Sequence, residues 1–128
     1  MCSKGDVFWL RSDEEEKYHL HVIISDPQKS PSLVLVPITS IYDKDGVYAC
    51  RFSAGSHHRI QVDSYVDYRL AKLVTAHELA GWLAAKTIKR VEPMSGEQIE
   101  MIWNGAEKDA NYIPHGCRSV LFAQGLLT

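Results

Sequence analysis

Residues Lys17 to Ser40, KYHLHVIISDPQKSPSLVLVPITS, constrain this chain more than any other stretch. In its first run Leu20, Val22 and Ile24 share one face and His19, His21, Ile23 and Ser25 the other, the period of a β-strand. In its second run Leu33, Val34, Leu35 and Val36 are continuously apolar, as a strand covered on both faces reads. Asp26-Pro27 and Ser30-Pro31-Ser32 supply a turn between the two. Pro37 has no N–H to give to a ladder, so it is expected to end or edge the second strand. Two imidazoles, His19 and His21, thus fall on a face that alternation alone predicts to be outward. Thr39 and Ser40 lie just past the neighbouring strand, placed to meet them across the sheet.

The totals bound the problem. A chain of 128 residues has the length of one domain and buries roughly 65–70% of its unfolded surface without a disulfide or a metal. Nothing in it approaches the ~20 consecutive apolar residues of a membrane span. MCSKGDVFWLRS has no apolar core behind a basic start, so no secretory signal is expected. Cys2, Cys50 and Cys117 are odd in number and lack metal-ligand spacing, which predicts reduced thiols in a cytoplasmic protein. Net charge is −2, unevenly spread. Residues 1–50 carry five Lys/Arg against eight Asp/Glu, residues 51–90 seven against three, and residues 91–128 two against five. A basic middle between acidic ends suits a phosphate-binding face, or is only a solvated surface.

Along the chain, Lys4-Gly5-Asp6 leads into Val7-Phe8-Trp9-Leu10, a first strand entered through a glycine turn. Arg11 to Lys17, with Asp13 and Glu14-Glu15-Glu16, reads as a charged, solvated hairpin tip. Asp45-Gly46 is a hairpin signal before a fourth strand at Val47–Phe52. Ser53–Ser56 is a turn, and His57–Asp63 a fifth strand with Arg59, Gln61 and Asp63 on one face. Tyr65–Val74 extends it or forms a sixth. The period then changes. Thr75-Ala76-His77-Glu78 and Ser95-Gly96-Glu97-Gln98 are capping boxes, the second followed by Ile99, Ile102, Trp103 and Ala106 at helical spacing. A short strand at Thr87–Val91 lies between them. Pro114 opens a third helix carrying Cys117, Val120, Leu121 and Gln124. The order predicts a mainly β domain over residues 1–128: an antiparallel barrel of five or six strands in its first part, with helices from residue 75 onward packed on it.

Several short segments, in this order, resemble the PemK/MazF family of small toxin ribonucleases, which share an SH3-like barrel with CcdB. They are Lys4-Gly5-Asp6-Val7-Phe8-Trp9, His21-Val22-Ile23-Ile24-Ser25, Val36-Pro37-Ile38-Thr39-Ser40 and Val62-Asp63-Ser64-Tyr65-Val66, spanning residues 4–74. The resemblance implies a CcdB/PemK-like barrel and a metal-independent endoribonuclease that cleaves single-stranded RNA by 2′-hydroxyl attack. It also implies a homodimer, an antitoxin partner and no cofactor. Thr39 matches the family's Thr. The family's Arg position falls on His19, and Asp63 matches an Asp whose companion Arg is here Gln61, with Arg59 two residues earlier.

His19 and His21 have the residue type suited to proton transfer near neutral pH, and Arg59 or Arg51 supplies a cation. The expected site is therefore His19, Thr39, Arg59 and Asp63, with His21, Ser40, Gln61 and Tyr65 holding substrate. Trp9, Tyr65 and Tyr68 are candidates for base stacking; the other reading is core packing for Trp9 and surface covering for one of the tyrosines. His57-His58 does not read as a metal pair, because adjacent strand residues point to opposite faces. The alternative is a non-catalytic SH3-like binding module that has kept the fold and lost the arginine.

Overall fold

The computed structural model describes residues 2–11 and 18–128; the acidic part of the expected hairpin tip, Asp13 to Glu16, lies outside them. Seven strands form one antiparallel sheet: β1 (Val7–Arg11), β2 (Tyr18–Ile23), β3 (Ser32–Ser40), β4 (Arg51–Phe52), β5 (Ser64–Val66), β6 (Lys72–Thr75) and β7 (Lys89–Val91). Their order is β4-β5-β3-β2-β1-β7, with β6 also on β3. Among the described residues no ladder joins β4 to β7, so the sheet is open. Three helices follow the strand-rich part: α1 (Ala76–Ala84), α2 (Gly96–Lys108) and α3 (His115–Ala123). The expected change from β to helix after residue 75 is therefore present: six strands precede it, within the expected five or six, and β7 falls in the short strand expected at Thr87–Val91.

β3 runs straight through Pro37, contrary to expectation. Its outer edge is shared by two partners, with Ile38–Ser40 on β5 and Ser32–Leu35 on β6. Pro37 sits at the gap between them, and its carbonyl accepts the Asp67 N–H at 3.1 Å. The nitrogen of a strand residue points to the same side as its carbonyl, so the missing N–H falls where no ladder partner needs it.

That double use of β3 explains two further corrections. The segment from Val47 has no free edge of β3 to pair with. The Asp43–Gly46 turn does close, with Gly46 N–H on Asp43 O at 3.1 Å, but only Arg51–Phe52 become a strand, on β5. His57–Asp63 is not a strand at all. Its backbone bonds are spent locally: Gly55 N–H donates to Ile60 O at 2.7 Å and Ile60 N–H to His57 O at 3.0 Å. The buried His57 ring ties the loop down, accepting Arg59 N–H on Nδ1 and donating from Nε2 to Glu92 O at 2.7 Å.

The sheet is covered on both faces. Val7, Leu20, Val22, Val34, Val36 and Ile38 meet Ile99, Ile102 and Ala106 of α2 and Cys117 and Leu121 of α3. On the other face Phe8, Leu10, Ile23, Leu33 and Leu35 meet Leu79 of α1, with Trp82 and Leu83 beside it. Burial pushes the Cys50 and Cys117 thiols up to about 11 each, so both are small neutral core groups at neutral pH.

Both expected capping boxes form. Thr75 Oγ1 accepts Glu78 N–H and Glu78 returns a carboxylate to Thr75 N–H, each at 3.0 Å; that bond holds the Glu78 carboxyl below its ordinary range. Ser95 and Gln98 exchange the equivalent pair at α2. At their other ends α1 and α3 finish alike, with 6→1 and 5→2 backbone bonds. These are Thr87 to Trp82 and Lys86 to Leu83 in α1, and Leu126 to Leu121 and Gly125 to Phe122 in α3. The left-handed position is Gly125 in one (φ 73°) and Lys86 in the other (φ 61°). An L-residue there costs about 1–2 kcal/mol, part of which glycine returns as unfolded-chain entropy. Lys86→Gly is therefore expected to stabilise the protein by about 0.5–1 kcal/mol, read as a higher denaturation midpoint at unchanged slope.

Candidate functional site: a groove at the end of the central hairpin

β1 and β2 pair with Leu10 opposite His19, Trp9 opposite Leu20 and Phe8 opposite His21. β2 and β3 pair with Leu20 opposite Ile38 and His21 opposite Pro37. One step along, His19 comes opposite Thr39, and Thr39 Oγ1 lies 3.3 Å from His19 Nδ1. The expected meeting of these two side chains across the sheet is thus observed, and it follows from the register alone.

Beside the pair runs a groove of about 360 Å³. His19, Thr39, Ser40, Arg59 and Gln61 all line it, five of the eight residues expected from sequence. Parity assigns them to different faces. His19 and Thr39 share a face with Leu10 and Pro37; Ser40 lies on the other with Leu20 and Ile38. The loop tied down by His57 brings Arg59 and Gln61 over that second face. Among the described residues that line it, Arg59 alone carries a fixed charge and none is a carboxylate.

Three expected residues lie elsewhere. Asp63 Oδ1 accepts Ala54 N–H at 2.9 Å and so closes the loop that carries Arg59. Tyr65 is the register partner of Thr39, yet its ring packs on Tyr48 with centroids 4.4 Å apart and lines a separate cavity with Asp67 and Arg69. His21 is not on an outward face: it is fully buried, and its Nδ1–H donates to His19 O at 3.0 Å. The reason is α1, which covers the face that strand alternation leaves polar. Arg51 is also outside the groove, with its guanidinium over the Tyr48 ring at 5.6 Å.

Aromatic side chains supply what the expected set lacked. Trp9 is 40% exposed and Tyr18 49% exposed. Their rings stack at 6.4 Å with planes 9° apart, and both line the groove with Tyr42. Trp9 is thus not a core residue, whereas Tyr68 is, its hydroxyl donating to Ile102 O at 2.6 Å. The signal for Tyr18 was present in the chain: it shares the parity of Leu20, the partner of Trp9, one pleat further along.

No family model and no curated protein sequence matches this chain. Among the described residues no helix is long and apolar enough to cross a membrane.

Proposed function

We propose that this protein is a PemK/MazF-like endoribonuclease with an SH3-like barrel, which cleaves single-stranded RNA without a metal as the toxin of a toxin–antitoxin pair. The observation that carries this reading is the His19–Thr39 pair at 3.3 Å on the wall of a groove whose cation is Arg59 and whose rim is aromatic. When Nδ1 carries the ring proton it donates to Thr39 Oγ1, which orients the ring and makes Nε2 the unprotonated nitrogen that acts as general base. Nε2 takes the proton of a ribose 2′-hydroxyl, and that oxygen attacks the adjacent phosphorus. The bond from phosphorus to the 5′-oxygen breaks, and the leaving oxygen takes a proton from water. The products are a 2′,3′-cyclic phosphate and a 5′-hydroxyl end. Arg59 stabilises the negative charge that builds on the phosphoryl oxygens. Gln61 and Ser40 hydrogen-bond the strand, and Trp9 with Tyr18 offers a surface on which bases stack irrespective of sequence.

The test is a mixed single-stranded RNA incubated with the purified protein in EDTA. Fragments ending in a cyclic phosphate are expected. A folded protein that binds the RNA and leaves it intact across varied substrates would favour the second reading, a non-catalytic binding module. One observation favours that module: with His21 buried and Asp63 spent on the Ala54 N–H, His19 is the one histidine among the lining residues. The proposal also carries a symmetric dimer, inhibited by an antitoxin peptide. Light scattering that finds only monomer at tens of micromolar protein would remove the dimer from it.

A further inference from the structure

Arg59 is the cation of the groove, yet it stands on a loop and not on the sheet. From Ser53 to Arg59 every residue is exposed except His57, which is 6% exposed. His57 does not line the groove. Its Nδ1 accepts the Arg59 N–H at 3.0 Å, and its Nε2 lies 2.7 Å from Glu92 O. Both partners have fixed roles, since an amide N–H only donates and a carbonyl oxygen only accepts. The ring is therefore the neutral tautomer with its proton on Nε2, and both nitrogens are spent on backbone. Beside it the Ser56 carbonyl accepts from Gln98 Nε2 of α2 at 2.7 Å, and Ile60, the residue after Arg59, is buried in the core. The backbone that carries Arg59 is thus tied to the segment after β7 and to the start of α2.

A long side chain reaches one point reliably only when its backbone is fixed, and a cation already in place stabilises a developing charge without reorganisation. We propose that His57 is a positioning residue for Arg59. It touches no substrate; through the Arg59 N–H it holds the backbone from which the guanidinium reaches the phosphate. This role rests on the single-stranded RNA reading and adds to it the residue that fixes its cation.

Two substitutions separate the two bonds of the ring. In His57→Asn the side-chain oxygen can still accept the N–H two residues on, as an Asx turn, but the reach to Glu92 O is lost. In His57→Gln the longer side chain keeps a donor for Glu92 O and loses the acceptor beside the Arg59 N–H. The probe is a fluorescein-labelled 2′-O-methyl RNA hexamer, which lacks the attacking hydroxyl. Anisotropy gives its Kd over a range of salt for wild type, both variants, Arg59→Gln and the double variant His57→Gln/Arg59→Gln. His57→Gln is expected to weaken binding about twofold to tenfold, the usual net weight of one hydrogen bond. It is also expected to flatten the dependence of log Kd on log salt, by no more than the ~0.7 that loss of one phosphate contact on a single strand brings in Arg59→Gln. His57 is neutral in this geometry, so a change of salt slope reports the Arg59 cation and not a loss of folded protein. The double variant is expected to bind as Arg59→Gln does, because two changes that act through one group do not add. His57→Asn is expected to keep the wild-type slope. That variant decides the matter even if His57→Gln fails to fold: a slope reduced to that of Arg59→Gln would overturn the proposal. If Arg59→Gln weakens binding while His57→Gln binds as wild type does, or if the double variant loses further affinity, His57 does not act through Arg59 and the proposal is wrong while the RNA reading stands. If wild type does not bind the hexamer, the RNA reading itself falls, and this role with it.

Discussion

His19→Gln is expected to slow RNA cleavage by about two to four orders of magnitude, the usual effect of removing a general base. Glutamine nearly preserves the size of the ring and can still hydrogen-bond to Thr39, but it cannot accept and release a proton near neutral pH. The binding affinity for an uncleavable RNA should hardly change, because His19 adds no fixed charge to the groove. Arg59→Gln should behave differently. It removes the cation that meets the charge of the transition state, a loss often worth a few kcal/mol, and it also weakens binding of the uncleavable strand. Circular dichroism of both variants controls for folding. Equal cleavage rates in wild type and His19→Gln would place the chemistry away from the His19–Thr39 pair.

Gly105→Ala is expected to destabilise the protein by about 1–3 kcal/mol, the range for overpacking a close-packed core. Secondary structure alone predicts the opposite sign, since alanine is better than glycine inside a helix by about 1 kcal/mol. The difference lies in what α2 rests on. A Cβ at this position would meet the Tyr68 hydroxyl oxygen, come to 2.8 Å from Cys50 Cβ and to 3.1 Å from Ala49 O. Cys50 and Tyr68 are both buried, and the Tyr68 hydroxyl is already committed to Ile102 O at 2.6 Å. Neither the Cys50 Cβ nor the Ala49 carbonyl is the far end of a flexible side chain, so the helix itself must shift. Urea unfolding followed by circular dichroism reads the effect. A midpoint above wild type would mean that α2 is not seated on Tyr68 and Cys50 as described.

Much of the local architecture is legible in the chain. Alternation over Lys17–Ser40 sets β2, and with the turn residues at Asp26-Pro27 and Ser30–Ser32 it sets the β2–β3 pairing. That pairing is enough to put His19 opposite Thr39, because a one-residue slip would exchange the two faces of the strand. The capping boxes at Thr75 and Ser95 mark the starts of α1 and α2, since the backbone N–H groups at a helix start need acceptors and these side chains supply them. The apolar spacing of Ile99, Ile102, Trp103 and Ala106 likewise marks the body of α2.

Tertiary structure decided the rest, and in each case through a competitor that local pattern does not contain. β3 has two outer partners, which carries it through Pro37 and deprives the segment after Val47 of an edge. His57, Glu92 and Asp63 fold residues 53–63 into a loop, although the alternation of His57–Asp63 reads as a strand; three side-chain bonds outweigh a weak β pattern. α1 covers the face that holds His21, so an imidazole that alternation places in solvent is buried, while Trp9 and Tyr18, on the opposite face, are exposed at the hairpin end. The sequence by itself therefore determined which residues form elements and which residues face each other across a strand pair, because those depend on neighbours two to four apart and on one register. Which faces are covered, which edges are taken and which side chains meet in the groove depend on elements tens of residues away, and only the packed fold decides them.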